Sequence, residues 1–233
     1  MRVSAVIAAG GRGKRMKSSM SKQFLMIKGY PILYYTLSVF EFLDRIEEIV
    51  LVVGGPDIPY AREEIVNRYR FKKVKIVEGG AERQDSVYNG LREISPQTDI
   101  VVIHDGVRPF ITRDIILKSI EAAREHKAVG VAVPVKDTIK VVGEGNIIKS
   151  TPDRKTLWAM QTPQTFDYGL ILRAHEEARR EGFYGTDDTV LVERLGLPVR
   201  VIEGAYENIK ITTPEDIVIA ETFVALGYGD FRR

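Results

Sequence analysis

A mostly parallel β-sheet covered by helices on both faces is the α/β architecture that this 233-residue chain predicts, and two patterns carry the prediction. Strand-like runs rich in Val and Ile recur along the chain, and amphipathic segments with helical spacing separate them. The apolar runs are Val3 to Ala8, Ile49 to Val53, Val74 to Val77, Ile100 to His104, Val129 to Val135 and Val199 to Ile202. Near-continuous runs of this kind suit strands buried on both faces.

Taken in order, the first run is short and gives way to Gly10-Gly-Arg, so it reads as a buried strand rather than as a secretory signal. A helix is predicted over 31–43, with Pro31 suited to its first turn. Further helical patterns cover 57–70, 83–94 and 112–126, the last with Thr112 as a cap. Beyond the fifth run, patterns at 167–181 and 187–195 read as helices. Thr186 is taken as the cap of the second, and Asp187-Asp188 as favourable charge in its first turn rather than a metal pair. Thr213-Pro-Glu-Asp216 combines a cap, an N1 proline and first-turn acids for a last helix from Pro214.

One segment breaks the rhythm. From about 136 to 160 two short alternating runs flank Gly143-Glu-Gly-Asn146, which reads as a β-hairpin inserted into the α/β order. An isolated hairpin has little core of its own, so it either lies against its own domain or reaches a second subunit. The chain is read as one Rossmann-like domain, 1–233, carrying this arm.

Charge is placed rather than spread. The whole chain has 34 Lys+Arg against 32 Asp+Glu, a formal charge of +2, yet its first 40 residues hold seven basic residues and no acidic one. Five of these cations lie in Gly10-Gly-Arg-Gly-Lys-Arg-Met-Lys-Ser-Ser-Met-Ser-Lys22. The absence of cysteine excludes a disulfide framework, a thiolate metal site and a cysteine nucleophile, and three scattered histidines have no zinc spacing. Any metal is therefore a hard ion such as magnesium. No stretch reaches the roughly 20 apolar residues of a membrane span, so a cytoplasmic protein is the expectation.

The glycine-rich loop fits neither of two familiar nucleotide motifs. For G-x-G-x-x-G, Met16 occupies the third small position and no acid appears before Glu41. For G-x-x-x-x-G-K-[ST], Ala8 stands where glycine is needed and Arg15 where a hydroxyl should hold magnesium. A solvated turn is one reading; the place of the loop, at the carboxyl end of the first strand, favours another. Open α/β sheets bind ligands there, and glycine amides with several cations suit a polyphosphate.

Ala8-Ala-Gly-Gly-Arg-Gly-Lys-Arg-Met16 followed by Lys22-Gln23 resembles the G-x-G-x-R-M-x(n)-K signature of nucleotidyltransferases that join a nucleoside triphosphate to a phosphorylated alcohol or sugar. Four further stretches narrow the resemblance: Gly79-Gly-Ala-Glu-Arg-Gln-Asp-Ser-Val87, Val102-Ile-His-Asp-Gly-Val-Arg-Pro109, Pro134-Val-Lys-Asp-Thr-Ile-Lys140 and Glu207-Asn-Ile-Lys-Ile-Thr-Thr-Pro-Glu-Asp216. In order and spacing the set is similar to the 2-C-methyl-D-erythritol 4-phosphate cytidylyltransferase family of the non-mevalonate isoprenoid pathway.

The resemblance implies in-line attack of a substrate phosphate oxygen on the α-phosphorus of CTP, with pyrophosphate leaving and no covalent enzyme intermediate. Such a transfer asks chiefly for placed charge. By match to the family, Arg15, Lys22 and Lys210 are the catalytic cations. Ala8, Ala9, Gly10, Gly11 and Gly13 belong to the CTP loop, and Gly80 and Ser86 to the cytosine pocket. On the same resemblance, Asp105 is expected beside the sugar and phosphates, helping to hold magnesium, and Arg108 is expected to meet the second substrate. The resemblance also implies that the hairpin embraces a second subunit and that Thr138 and Arg154 are donated across a homodimer to the methylerythritol phosphate. His104 is left out of the catalytic set as a packed, hydrogen-bonded ring. Two departures from the family stand out: Ala81 where an acid is frequent, and Ser21 where proline is usual, which leaves the loop less rigid.

Three other functions share some of these features. A ribitol 5-phosphate cytidylyltransferase shares the nucleotide motifs. A nicotinamide-dependent oxidoreductase needs the fingerprint rejected above. A nucleic-acid-binding module needs a second basic stripe with interleaved aromatics, which the sequence lacks.

Overall fold

The computed structural model describes residues 1–11 and 20–229. In chain order the elements are β1 (Val3–Ala9), β2 (Met26–Ile27), β3 (Tyr30–Pro31), α1 (Ile32–Glu41), β4 (Glu48–Val53) and α2 (Ile58–Tyr60), which runs on as a π-helical stretch over Ala61–Asn67. Then come β5 (Val74–Glu78), α3 (Arg83–Arg92), β6 (Ile100–Asp105), α4 (Arg113–His126) and β7 (Ala128–Pro134). The chain continues through β8 (Val141–Val142), β9 (Ile148–Ser150), β10 (Trp158–Asp167), α5 (Tyr168–Arg180), α6 (Thr189–Arg194), β11 (Arg200–Glu203) and α7 (Pro214–Ala225).

Seven strands form one sheet in the order β11-β7-β10-β6-β1-β4-β5. Strands β4 and β6 flank β1 in parallel, β5 extends β4 and β11 joins β7, all parallel, while β10 runs antiparallel to both of its neighbours. Alternation along β1 sorts its side chains. Val3, Ala5, Ile7 and Ala9 join the core under α1, α2 and α4, and Val6 joins the core under α3, α5 and α6. A smaller cluster ties α7 to the β2–β3 ribbon through Ile27, Ile32, Tyr35, Val107, Phe110, Ile211 and Ala220.

The long strand β10 was not among the predicted strands. Its sequence, Trp158-Ala-Met-Gln-Thr-Pro-Gln-Thr-Phe-Asp167, carries a proline and four uncharged polar residues where a central strand ordinarily shows apolar ones. The register shifts between Met160 and Gln164, so Pro163 falls at an irregularity and costs no ladder bond of regular strand. The buried polar side chains are paired: Gln161 Nε2 with Ala205 C=O at 2.8 Å, and Thr165 with Ser119 at 2.8 Å.

The start of α6 also departs from expectation. The helix begins at Thr189 rather than 187, and the neighbouring carboxylates divide two tasks. Asp187 Oδ1 accepts from Val190 N–H at 3.1 Å and so serves the first turn, in place of Thr186, whereas Asp188 is 1% exposed and faces inward. The other caps follow the sequence: Thr112 accepts from Ile115 N–H, and Thr213 forms a capping box with Asp216 behind Pro214.

Gly90 sets how closely α3 approaches the sheet. A Cβ there would lie 2.7 Å from Val6 Cγ1 and 2.8 Å from Val52 Cγ2, so the helix backbone presses on β1 and β4. That contact carries the start of α3 to the rim where the parallel strands end.

Candidate active site

Parallel pairing aligns the carboxyl ends of β1, β4, β5 and β6. Ala8 stands opposite both Val52 and Asp105, and Val53 stands opposite Glu78. The chain leaves these ends as Gly10-Gly11, Gly54-Gly55, Gly79-Gly80 and Gly106. Space is tight at the third. A Cβ on Gly79 would lie 2.8 Å from Ser86 Oγ, and one on Gly80 would lie 2.3 Å from Asp85 Cβ. Ser86 Oγ accepts from Gly80 N–H at 3.0 Å and donates to Glu82 C=O at 3.1 Å, so it shapes the loop that sequence reading assigned to cytosine. Gly10 faces the same hydroxyl, with its Cβ position 3.4 Å from Ser86 Oγ. The loop is thus held through the backbone and Ser86, and Ala81 is exposed beside it.

Asp105 ends β6 with its carboxylate buried among cations. Arg83 Nε lies 3.1 Å from Oδ1, while Lys210 Nζ lies 2.7 Å and Arg108 Nε 3.7 Å from Oδ2. Burial alone would raise its pKa; Arg83, then Lys210 and Arg108, outweigh it and hold the group well below the usual carboxylate range. Lys210 comes from the segment before α7, and two bonds fix that segment to the loop after β6. Arg108 Nη1 donates to Asn208 C=O at 2.7 Å, and Ile211 N–H donates to Val107 C=O at 2.9 Å. Lys22 Nζ donates to Ile211 C=O at 3.3 Å, which brings the end of the basic loop to the residue beside Lys210.

The structure therefore gathers Ala8, Ala9, Gly10, Gly11, Lys22, Gly80, Ser86, Asp105, Arg108 and Lys210 at one rim. Gly13 and Arg15 lie outside the described residues. Thr138 and Arg154 sit on the exposed arm, where Arg154 Nη1 donates to Lys136 C=O at 2.7 Å. Among the described residues of the protomer, neither is paired with the Asp105 cluster. At Ser21 the loss of proline is met by a tether: its hydroxyl donates to Asp57 Oδ2 at 2.7 Å, and Gln23 Nε2 reaches the same oxygen at 3.3 Å.

For a metal, Asp105 is the hard donor at hand. Among the described residues no three His, Cys, Asp or Glu side chains gather to form a cage. With Oδ1 paired to Arg83 and Oδ2 to Lys210 and Arg108, Asp105 offers a single carboxylate, and a magnesium ion there would take its remaining ligands from other molecules.

Sequence reading passed over Arg83 and Asp188. Arg83 lies inside a quoted motif, but nothing local marks it as the bridge between Asp105 and Asp188, whose Oδ2 is 2.8 Å from Nη1. The one available signal was an arginine at the first position of a helix, where the dipole disfavours a cation and a tertiary acid must compensate.

His104 supports this frame without facing it. Asp105 N–H donates to Thr162 Oγ1 at 3.1 Å, the Thr162 hydroxyl lies 2.9 Å from His104 Nδ1, and His104 Nε2 lies 3.2 Å from Arg108 C=O. A neutral imidazole with its proton on Nε2 satisfies every member of that chain.

The chain matches the model of the family IspD, 2-C-methyl-D-erythritol 4-phosphate cytidylyltransferase, over residues 3–225. It is 52% identical to the protein of that name from Caldanaerobacter subterraneus over 225 residues, covering 96% of this chain and 99% of the relative. Against the one from Geobacter metallireducens it is 54% identical over 228 residues, covering 96% and 98%. Among solved structures it superposes on 4-diphosphocytidyl-2C-methyl-D-erythritol synthase from Anaerococcus prevotii with a TM-score of 0.86 at 36% identity, covering 96% of each chain. The Thermus thermophilus 2-C-methyl-D-erythritol 4-phosphate cytidylyltransferase gives 0.81 at 33% identity, covering 97% of this chain and all of that one.

Burial pushes the His104 pKa down to about 4. An unfolded histidine titrates near 6.5, so the unfolded state takes up the proton first. The neutral ring's contribution is complete above about pH 6.5 and is lost as pH falls to about 4, a change of about 3 kcal/mol. Urea midpoints measured across that window should fall in the wild type and fall less steeply in His104→Asn. Parallel curves for the two proteins would contradict this assignment.

Proposed function

This chain belongs to the 2-C-methyl-D-erythritol 4-phosphate cytidylyltransferase family, and we propose that it transfers a cytidylyl group from CTP to 2-C-methyl-D-erythritol 4-phosphate, releasing pyrophosphate. The observation that carries the mechanism is the convergence of Lys22, Arg108 and Lys210 on the rim at Asp105, with the acid-free glycine loop leaving β1 beside it.

In this reading the backbone of Ala8, Ala9, Gly10, Gly11 and Gly13 receives the triphosphate, and the loop of Gly79, Gly80 and Ser86 receives cytosine. A small pocket walled by backbone and one hydroxyl excludes purines by size. The phosphate oxygen of the second substrate attacks the α-phosphorus in line with the departing pyrophosphate. Negative charge builds on the α-phosphate oxygens in the transition state, and Arg15, Lys22 and Lys210 are the groups assigned to meet it. Fixed cations act there without reorganising, which is the advantage over water. Asp105 is the residue that would hold a magnesium ion, which when bound would supply further charge neutralisation on the polyphosphate. Arg108 orients the second substrate. The nicotinamide and nucleic-acid readings find no support in the family match, and ribitol 5-phosphate is the alternative acceptor to exclude by assay. The cytoplasm is the setting expected for a reaction that draws on CTP.

The homodimer belongs to the same proposal. Ile139, Val141, Val142, Ile147, Ile148, Trp158 and Met160 are exposed on the arm and at its base, an apolar load that a lone ribbon does not bury. A second copy embraced by the arm covers them and carries Thr138 and Arg154 toward the neighbouring rim.

Pyrophosphate release should be seen with CTP, magnesium and 2-C-methyl-D-erythritol 4-phosphate, and be far weaker with ATP, UTP or ribitol 5-phosphate. Turnover in Arg15→Ala, Lys22→Ala and Lys210→Ala should each drop about a hundredfold or more with the fold intact, as for loss of one preorganised transition-state donor. Near-normal turnover removes that residue from the mechanism. In sedimentation, the wild type should run as a dimer, and Ile147→Asp combined with Ile148→Asp should shift it toward monomer and lower turnover. A wild type that is monomeric and fully active would refute the shared site.

A further inference from the structure

Asp188 is the most buried acid in the described structure that lies away from the rim, with 1% of its side chain exposed. Its carboxylate is not spent on the helix that follows, because Asp187 takes that task. Instead Oδ2 lies 2.8 Å from Arg83 Nη1, and Oδ1 lies 3.3 Å from Nε2 of His175, itself fully buried. The opposite edge of the same guanidinium presents Nε to Asp105 Oδ1 at 3.1 Å. Arg83 is thus a bridge between two buried carboxylates, one inside the packing under α5 and α6 and one at the rim.

The ends of the bridge are held independently. Gln84, the next residue on α3, donates to Phe183 C=O at 2.9 Å and accepts from Gly185 N–H at 2.8 Å, fastening α3 to the segment before α6. Gln164 on β10 accepts from Asp188 N–H at 2.9 Å and donates to Asp187 Oδ2 at 2.9 Å. A guanidinium is planar and rigid, so fixing Nη1 also fixes the direction of Nε. Packing alone does not call for this arrangement, since apolar side chains of similar volume fill such a space without the cost of desolvating charge.

The geometry assigns Arg83 and Asp188 a positioning role in cytidylyl transfer. Asp188 anchors the guanidinium, and Arg83 holds Oδ1 of Asp105 so that Oδ2 stays turned to Lys210 and Arg108. Neither residue is assigned to touch the reacting atoms. With the bridge cut, the Asp105 carboxylate is free to rotate, and the Lys210 head loses the fixed partner that aims it. This inference rests on the reading of Asp105 and Lys210 as site groups given above.

Steady-state pyrophosphate release tests it with wild type, Arg83→Gln, Asp188→Asn, the combined variant, and Asp105→Asn as reference. Each bridge variant should lower kcat about tenfold or more, with KM for either substrate changed less than about threefold. Because Asp188 acts through Arg83, the combined variant should be no slower than Arg83→Gln alone. Losses that multiply, or wild-type kcat per folded molecule with only a lower Tm, overturn the assignment. If Arg83→Gln fails to fold, Arg83→Lys replaces it with the same expected loss, since an ammonium reaches one carboxylate but not both; wild-type turnover there also overturns it. Wild-type turnover in Asp105→Asn defeats the underlying reading of Asp105. A loss confined to Asp105→Asn, with both bridge variants normal, defeats the bridge alone.

Discussion

One carboxylate out of water, Asp105, is the constraint on which the site depends. An isolated buried charge is strongly unfavourable, so the group is tolerated only where opposite charges and hydrogen bonds compensate it. Here Arg83, Arg108 and Lys210 do so from three parts of the chain: the start of α3, the loop after β6 and the segment before α7. The compensation runs both ways. Each cation, long and flexible on its own, acquires a fixed address by pairing with an acid whose position the sheet determines. Parallel pairing of β6 with β1 sets Asp105 opposite Ala8, one residue short of the end of β1, so the cation cluster and the glycine loop open on the same rim.

The antiparallel strand β10 supplies the second constraint. Its polar residues lock the frame from behind: Thr162 takes the Asp105 amide, Gln164 takes the Asp188 amide, and the Thr162 carbonyl receives Asn208 Nδ2 at 2.8 Å. Asn208 in turn receives Arg108 at its carbonyl, two residues before Lys210. Inside a protein such a network is rigid when its members are paired. A transfer that relies on preorganised charge gains from that stiffness, because the cations need not move to meet the charge that develops.

Much of this was legible in the sequence, and the limits follow from physics. Parallel strands announce themselves by unbroken Val and Ile runs, so β1, β4, β5, β6, β7 and β11 were read within a residue or two. Strand β10 was invisible because periodicity scores hydrophobicity, while its Gln and Thr side chains are buried by hydrogen bonds to partners distant in sequence. The motif residues Lys22, Ser86, Asp105, Arg108 and Lys210 came from resemblance, and composition alone offered the basic loop and no more. Asp188 shows the sharpest limit. As the second of two acids before a helix it reads as first-turn charge, and what changes its meaning is Arg83, 105 residues earlier. Ser21 is the converse case, since a departure that read as lost rigidity is offset by a tether to Asp57.

The electrostatic hold on Asp105 is measured by following its side-chain carboxyl carbon by nuclear magnetic resonance through an acid titration of the unliganded protein. If the three cations hold the group as described, its resonance stays that of the ionised form well below the ordinary carboxylate range, until the protein itself gives way. Titration close to the ordinary value of about 3.9 would instead mean that the cations do not hold Asp105, since a carboxylate so weakly held could not order the cations around it.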